Sequence, residues 1–323
     1  VPEDAPVFER VALIGAGLIG SSLARAARAT HAAKAVVVTD ASETVRARVR
    51  ELGFADVVAT SAAEAVVGAD LVIVCVPVGV QGEVAAEIAP ALGTAAVVSD
   101  VGSVKGAVVR AMAPHLPAHV HFVPAHPVAG TEQSGPDAGF ATLFQNRWCI
   151  LTPPQDADEA AVAKVRAFWE RLGSKVEIMT PEHHDLVLAI TSHLPHLIAY
   201  NIVGTADDLQ TVTEGEVIKF SAGGFRDFTR IAASDPTMWR DVFLANRDAV
   251  LEVLGRFTED LAYLQRAIRW GEGDKLFDLF SRTRAIRRSI IESGQETAAP
   301  DFGRHAAAES KPVPIPRPYG GGE

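Results

Sequence analysis

Through its first 180 residues the chain alternates two kinds of pattern. Short runs are apolar at nearly every position: Arg10–Ile14, Ala35–Thr39, Leu71–Val76, Ala96–Ser99, His121–Val123, Trp148–Leu151 and Lys175–Met179. Between them lie stretches such as Glu43–Leu52 and Asp158–Leu172, whose apolar residues recur every three or four places. Runs without alternation suit parallel strands covered on both faces, and amphipathic stretches suit the crossover helices that join them. After Thr180 the period changes. From Glu182 to about Ser293 there is hardly a strand signal, only long helical patterns broken near Gly215, Gly223–Gly224, Asp235–Pro236 and Gly271–Gly273. The pattern predicts an α/β domain over 1–180, an all-α domain over 181–298 and a tail over 299–323. In the tail, Pro at 312, 314, 316 and 318 forbids helix and suits a solvated, disordered stretch.

Composition narrows the class. The 323 residues make about two domains, and 48% hydrophobic with 22% charged residues is a globular balance. Thirty Lys+Arg against forty Asp+Glu give a net charge of −10, which argues against a nucleic-acid or membrane-surface partner. The longest strongly apolar run, Leu71–Val78, is too short to span a bilayer. No basic segment followed by an apolar core opens the chain, so a cytoplasmic location is expected rather than secretion. Cys75 and Cys149 lie in apolar runs and are expected to be buried thiols, not a disulfide.

Gly15-Ala16-Gly17-Leu18-Ile19-Gly20 directly follows the first strand pattern and opens a helix. That context gives the glycine spacing its meaning. Gly15 allows a tight turn, Gly17 lets backbone approach a pyrophosphate, and Gly20 allows close helix–strand packing, while the helix start, with Leu18 and Ile19, offers free N–H groups. Asp40 ends the second strand pattern, twenty residues beyond Gly20. A carboxylate there accepts the ribose hydroxyls of NAD and repels the 2′-phosphate of NADP; no Arg follows directly. Val76 and Pro77 close the strand pattern that begins at Leu71, where the adenosine half of a dinucleotide is laid. His126, at the end of another strand pattern, puts an imidazole at the same crevice, where it can accept a proton.

Six segments in order now stand out: G-A-G-L-I-G-S-S, V-C-V-P-V, D-V-G-S-V-K at 100–105, H-P-V-A-G-T-E-Q-S-G at 126–135, S-H-L-P-H at 192–196 and G-G-F-R-D-F-T-R-I-A at 223–232. Together they resemble the TyrA family of prephenate/arogenate (cyclohexadienyl) dehydrogenases, from about residue 10 to about 295, and most of all the bacterial members without a chorismate mutase domain. The resemblance implies a Rossmann-like doubly wound sheet followed by a helical dimerisation domain like the C-terminal domain of 6-phosphogluconate dehydrogenase. It implies a homodimer, NAD as cofactor, and oxidation of a ring carbinol with loss of the ring carboxylate as CO2. Prephenate would give 4-hydroxyphenylpyruvate, and arogenate would give tyrosine.

The site residues carry over one by one. His126 would accept the hydroxyl proton, and Ser103 would bond the same hydroxyl and help to orient the histidine. Ser192 and His196 would contact substrate, with Pro195 kinking their helix, and Arg230 would bind a substrate carboxylate. Trp239 would support the pocket by packing. Thr131 and Glu132 either close the site or reach it across a dimer interface. Asp137 has two readings: plain turn chemistry, or the acid that favours the ammonium of arogenate. Tyrosine, sharing the product's features, would compete in the same pocket. Lys105 is read as serving the loop rather than the chemistry. The stripe Val250, Leu251, Leu254, Phe257, Leu261 and Leu264 fits a core or an interhelix seam. The competing readings are another NAD-dependent dehydrogenase of 3-hydroxy acids and a catalytically dead NAD sensor. The first would be expected to place a lysine on the long helix at 182–208, which has none; the second does not explain why His126, Ser103, Ser192, His196 and Arg230 occur together.

Overall fold

A computed structural model of the chain describes residues 5–131, 133–209 and 223–292. Glu132, the predicted break at Gly215 and the Pro-rich tail lie outside the described residues.

Six parallel strands form the main sheet: β1 (Phe8–Ile14), β2 (Ala33–Thr39), β3 (Val57–Val58), β4 (Leu71–Val74), β5 (Val97–Asp100) and β6 (His121–Phe122). Their spatial order, β3-β2-β1-β4-β5-β6, reverses between β1 and β4. In a doubly wound sheet, that reversal opens a crevice beyond the carboxyl ends of the strands. The crossovers use α1 (Leu18–Ala29), α2 (Glu43–Leu52), α3 (Ala62–Ala65), α4 (Gln81–Ile88) and α5 (Lys105–Met112). Val11, Leu13, Val36, Val38 and Ile73 enter the core on one face, and Ala12, Ile14, Val72, Val74 and Val98 enter that on the other. Both faces are covered, which is why these strands do not alternate in sequence.

The patterns at 148–151 and 175–179 do not extend this sheet. They form β8 (Trp148–Leu151) and β9 (Lys175–Ile178), parallel to each other, in a separate three-stranded sheet whose other edge is β7 (Ala125–Pro127), antiparallel to β8. The sequence gives no sign of β3 and β7 because two or three residues carry no period. The helix after β8, α6 (Glu159–Arg171), is capped by Asp158, which accepts from Ala161 N–H.

The helical part begins with α7 (Pro181–Leu188), capped by Thr180, and runs through a π turn at Ala189–His193 into α8 (Leu194–Asp208). Pro195 has no N–H to close an ordinary α bond, and the single turn of wider winding lies just before it. Taken together, Pro181–Asp208 has 28 residues and a window of mean hydropathy 1.5, enough by length and composition to cross a membrane. A search for uninterrupted apolar runs passes over it. It also carries His184 and His193, both buried, which hydrocarbon would penalise. Next come α9 (Gly223–Thr229), a 3-10 turn at Arg230–Ala233, α10 (Pro236–Ala245) and α11 (Arg247–Arg269). On α11 the predicted stripe is only partly covered: Val250 is buried, while Leu251 and Leu261 are exposed. Residues through Glu272 form one compact unit, and α12 (Gly273–Glu292) belongs to a second.

Candidate active site

The β1–α1 turn is built on close approach. Gly15 has φ +101°, and a Cβ there would lie 2.6 Å from the carbonyl oxygen of Cys75. A Cβ on Gly20 would lie 1.9 Å from the carbonyl oxygen of Gly15, so helix and turn can pack only with glycine. A Cβ on Gly17 would meet nothing within 4 Å, and Gly17 caps α1 without a side-chain bond. The helix start therefore presents backbone N–H groups to open space, the arrangement that takes a pyrophosphate.

The Asp40 carboxylate accepts from Ala16 N–H at 2.9 Å and from Ser42 N–H at 2.9 Å. This ties the end of β2 to the glycine turn and leaves further lone pairs for ribose hydroxyls. The cap of α2 is Ser42, not Asp40. One residue went unseen in the sequence: Arg46, a turn into α2, folds back so that its guanidinium donates to the carbonyl oxygens of Asp40 and Ala41 and to Glu43. Val76 is half-buried and Pro77 exposed just past β4, which ends at Val74.

At the end of β5, Asp100 and Lys105 make a fully buried ion pair at 2.5 Å. Lys105 Nζ also donates to the carbonyl oxygen of Ala125 at 2.6 Å, and Asp100 accepts from Ala125 N–H at 3.2 Å. Both backbone groups of the residue before His126 are thus fixed by this pair. Burial pulls the Lys105 ammonium down from its ordinary range while Asp100 pushes it back up.

His126 itself is buried. Its Nδ1 lies 2.8 Å from Nε2 of His184 on α7, and Nδ1 of His184 lies 2.9 Å from Asp185 Oδ1. The ring's Nδ1 is thus held by His184. Ser103 is half-buried in the loop between β5 and α5. Desolvation, then His184, Lys105 and His193, holds the His126 pKa well below the usual imidazole value, so the ring is a neutral base at pH 7.

On the π turn and α8, His196 Nδ1 donates to the carbonyl oxygen of Ser192 at 2.8 Å, and the His196 ring stacks on Trp239 with centroids 3.7 Å apart. Burial lowers the His196 pKa, and Arg230 lowers it further by its charge, so the arginine lies within electrostatic reach of the histidine. His193 accepts on Nδ1 from the Asn246 amide at 3.1 Å; the same amide nitrogen donates to the carbonyl oxygen of Asp185 at 2.8 Å. Buried Val104, Trp239 and Val242 pack together, so the loop beside Ser103 rests on α10.

Two further predicted residues, Thr131 and Asp137, lie in the segment after β7. Thr131 is half-buried and its hydroxyl accepts from Gln133 N–H. Asp137 is exposed and gripped by Arg48 of α2, with both carboxylate oxygens within 3.2 Å of the guanidinium. Its 3-10 turn packs on α1 and α2, and Arg25 donates to the carbonyl oxygen of Pro136. The Asp137 charge is thus matched by a guanidinium in this structure. Cys75 and Cys149 are both free, and burial raises both thiols.

Residues 23–178 match the model of the prephenate dehydrogenase nucleotide-binding domain, and residues 180–282 match that of the prephenate dehydrogenase dimerization domain. The chain belongs to the prephenate dehydrogenase family. It is 45% identical over 284 residues to a cyclohexadienyl dehydrogenase of Zymomonas mobilis, covering 88% of this chain and 97% of that one. It is 33% identical to the prephenate dehydrogenase of Bacillus subtilis, over 91% of this chain and 79% of that one. Among solved structures, a prephenate dehydrogenase from A. aeolicus, in complex with hydroxyphenyl propionate and NAD+, superposes with a TM-score of 0.81 at 34% identity, covering 87% of this chain and 98% of that one. A Synechocystis arogenate dehydrogenase superposes at 0.73 with 25% identity, over 87% and 99%. The family's nucleotide-binding domain and the glycine cradle agree on the cofactor, which is NAD.

Proposed function

We propose that this chain is a cytoplasmic, homodimeric, NAD-dependent dehydrogenase of tyrosine biosynthesis that acts on both prephenate and arogenate. Its cofactor domain is 1–180, its substrate and dimerisation domain 181–298, and 299–323 is a tail. The observation that carries the reading is His126, a buried, neutral imidazole in the middle of β7, with its Nδ1 tied to a second histidine.

Gly15, Gly17, Leu18, Ile19 and Gly20 would hold the pyrophosphate of NAD, Asp40 its ribose, and Val76 and Pro77 its adenosine half. When bound, NAD supplies the acceptor for a hydride from the ring carbon that bears the hydroxyl. His126 takes the hydroxyl proton on Nε2, and Ser103 bonds the same oxygen and fixes its position. Arg230 pairs with a substrate carboxylate, with Ser192 and His196 beside it. Thr131 and Glu132 are assigned to closing the site. Once the hydroxyl has become a carbonyl, the bond to the ring carboxylate breaks and CO2 leaves. The bond's electron pair moves through the ring to the oxygen, which takes a proton back from His126 as the ring becomes aromatic. The protein needs neither a metal nor a covalent intermediate. Tyrosine keeps the side chain and the para oxygen and so competes for the same pocket.

The test is NADH formation from purified protein with prephenate and with arogenate, each with NAD and NADP. Steady turnover of both substrates supports the reading, turnover of one alone cuts it back to that substrate, and none with either removes it.

A further inference from the structure

Three imidazole or carboxylate groups in contact can hold their protons in only a few ways. Asp185 is on α7, and its carboxylate accepts from the backbone N–H of Lys105 at 2.7 Å and of Gly106 at 2.9 Å, the first two residues of α5. It lies next to His184 in sequence, and Oδ1 is 2.9 Å from His184 Nδ1. A carboxylate only accepts, so His184 carries its proton on Nδ1. His184 is buried and neutral, which leaves a lone pair on Nε2, 2.8 Å from His126 Nδ1. His126 must then carry its own proton on Nδ1 and keep Nε2 free. The hydrogen-bond network assigns both tautomers.

We propose that Asp185, acting through His184, is a positioning residue that fixes His126 in the tautomer with a basic Nε2. By capping α5 with the same carboxylate, it also places the loop that carries Ser103. This rests on the dehydrogenase reading. The single carboxylate thus holds both partners of the reacting hydroxyl, one through a histidine and one through two backbone amides. The buried Lys105–Asp100 pair fixes the backbone around Ala125, and the relay fixes the ring. As His126 takes a proton on Nε2, its Nδ1–H donates more strongly to His184; no proton needs to pass beyond His126.

The direct readout is a long-range 1H–15N correlation spectrum of the full-length protein with labelled histidines, taken without substrate. Wild type should show His126 protonated on Nδ1. In Asp185→Asn the amide N–H2 can donate to His184 Nδ1. That would move the His184 proton to Nε2 and force the His126 proton to Nε2 as well. The spectrum should show this exchange, and kcat should fall about 10²–10⁴-fold with KM within threefold, as an altered tautomer does in a hydrolase triad. His184→Gln keeps an acceptor for His126 Nδ1–H and should retain kcat within about tenfold, whereas His184→Leu should lose 100-fold or more.

Two results would overturn the proposal: a wild-type His126 protonated on Nε2, or His184→Leu turning over within threefold of wild type. If wild type makes no NADH, the dehydrogenase reading falls alone, because the spectrum is read without turnover.

Discussion

His196 and Trp239 lie face to face, with ring centroids 3.7 Å apart and planes 22° from parallel. The stack fixes the face that the imidazole presents, while Ser192 fixes its edge. Trp239→Leu should raise KM for the cyclohexadienyl substrate about tenfold and lower Tm, because it removes both the stacking surface and buried packing. Trp239→Phe should keep most of the affinity. Steady-state kinetics and thermal unfolding of both variants check this, and unchanged KM in Trp239→Leu would leave the tryptophan a purely structural part.

Cofactor choice should turn on the pair Asp40 and Arg46. With Asp40 present, NAD should be at least about tenfold better than NADP in kcat/KM, because a 2′-phosphate would face a carboxylate. Asp40→Asn removes that repulsion and leaves the Arg46 guanidinium at the same loop, so NADP use should rise. Adding Arg46→Ala to Asp40→Asn should reverse the gain. Kinetics with both cofactors decide the matter, and equal rates in the wild type would refute the assignment to Asp40.

The pH profile follows from burial. The reaction needs neutral His126, whose pKa is held well below about 6.5, so the acid limb of kcat/KM should lie below that value. His126→Asn should lower kcat by about 10²–10⁴ with little change in NAD affinity. Stability has the same sign. Burial pushes His193 to about 4, so its neutral form favours the fold above about 6.5, and that contribution is lost as pH falls from about 6.5 to about 4. Thermal unfolding should show a falling Tm over that window, with a smaller slope in His193→Asn, which keeps the acceptor for Asn246.

Arg230 should act in binding. Arg230→Ala should raise KM by about 30-fold or more, the effect of leaving a buried carboxylate without its charged partner (about 2–5 kcal/mol), with a smaller change in kcat. If KM is unchanged while Tm falls, the arginine is structural.

Asp137→Asn should leave the ratio of arogenate to prephenate turnover unchanged, because Arg48 already matches that carboxylate. A shift of the ratio toward prephenate would return Asp137 to the substrate.

Where covering layers and period set the structure, the sequence showed it plainly. The parallel runs, the α2 and α6 patterns and the glycine turn all follow from local physics. Resemblance brought His126, Ser103, His196 and Arg230 into one list. It did not supply His184 or Asp185, because a contact across 58 residues leaves no periodic trace. Arg46 is illegible for a simpler reason: it lies six residues beyond Asp40, and only the first turn of α2 brings its guanidinium back to the Asp40 and Ala41 carbonyls. Asp137 was legible as a loop acid, but position in a loop says nothing of the Arg48 that meets it from α2.

The π turn at Ala189–His193 acts as a phase shift. In an unbroken α-helix, twelve residues separate His184 from His196 by about 120° around the axis. One turn of π winding removes about 90° of that, leaving the two rings roughly 30° apart. A single helix can therefore turn one histidine to His126 on β7 and another to Trp239, on nearly the same side. Regular winding over the same twelve residues would instead set the two rings about 120° apart, although every residue named in the site would still be present.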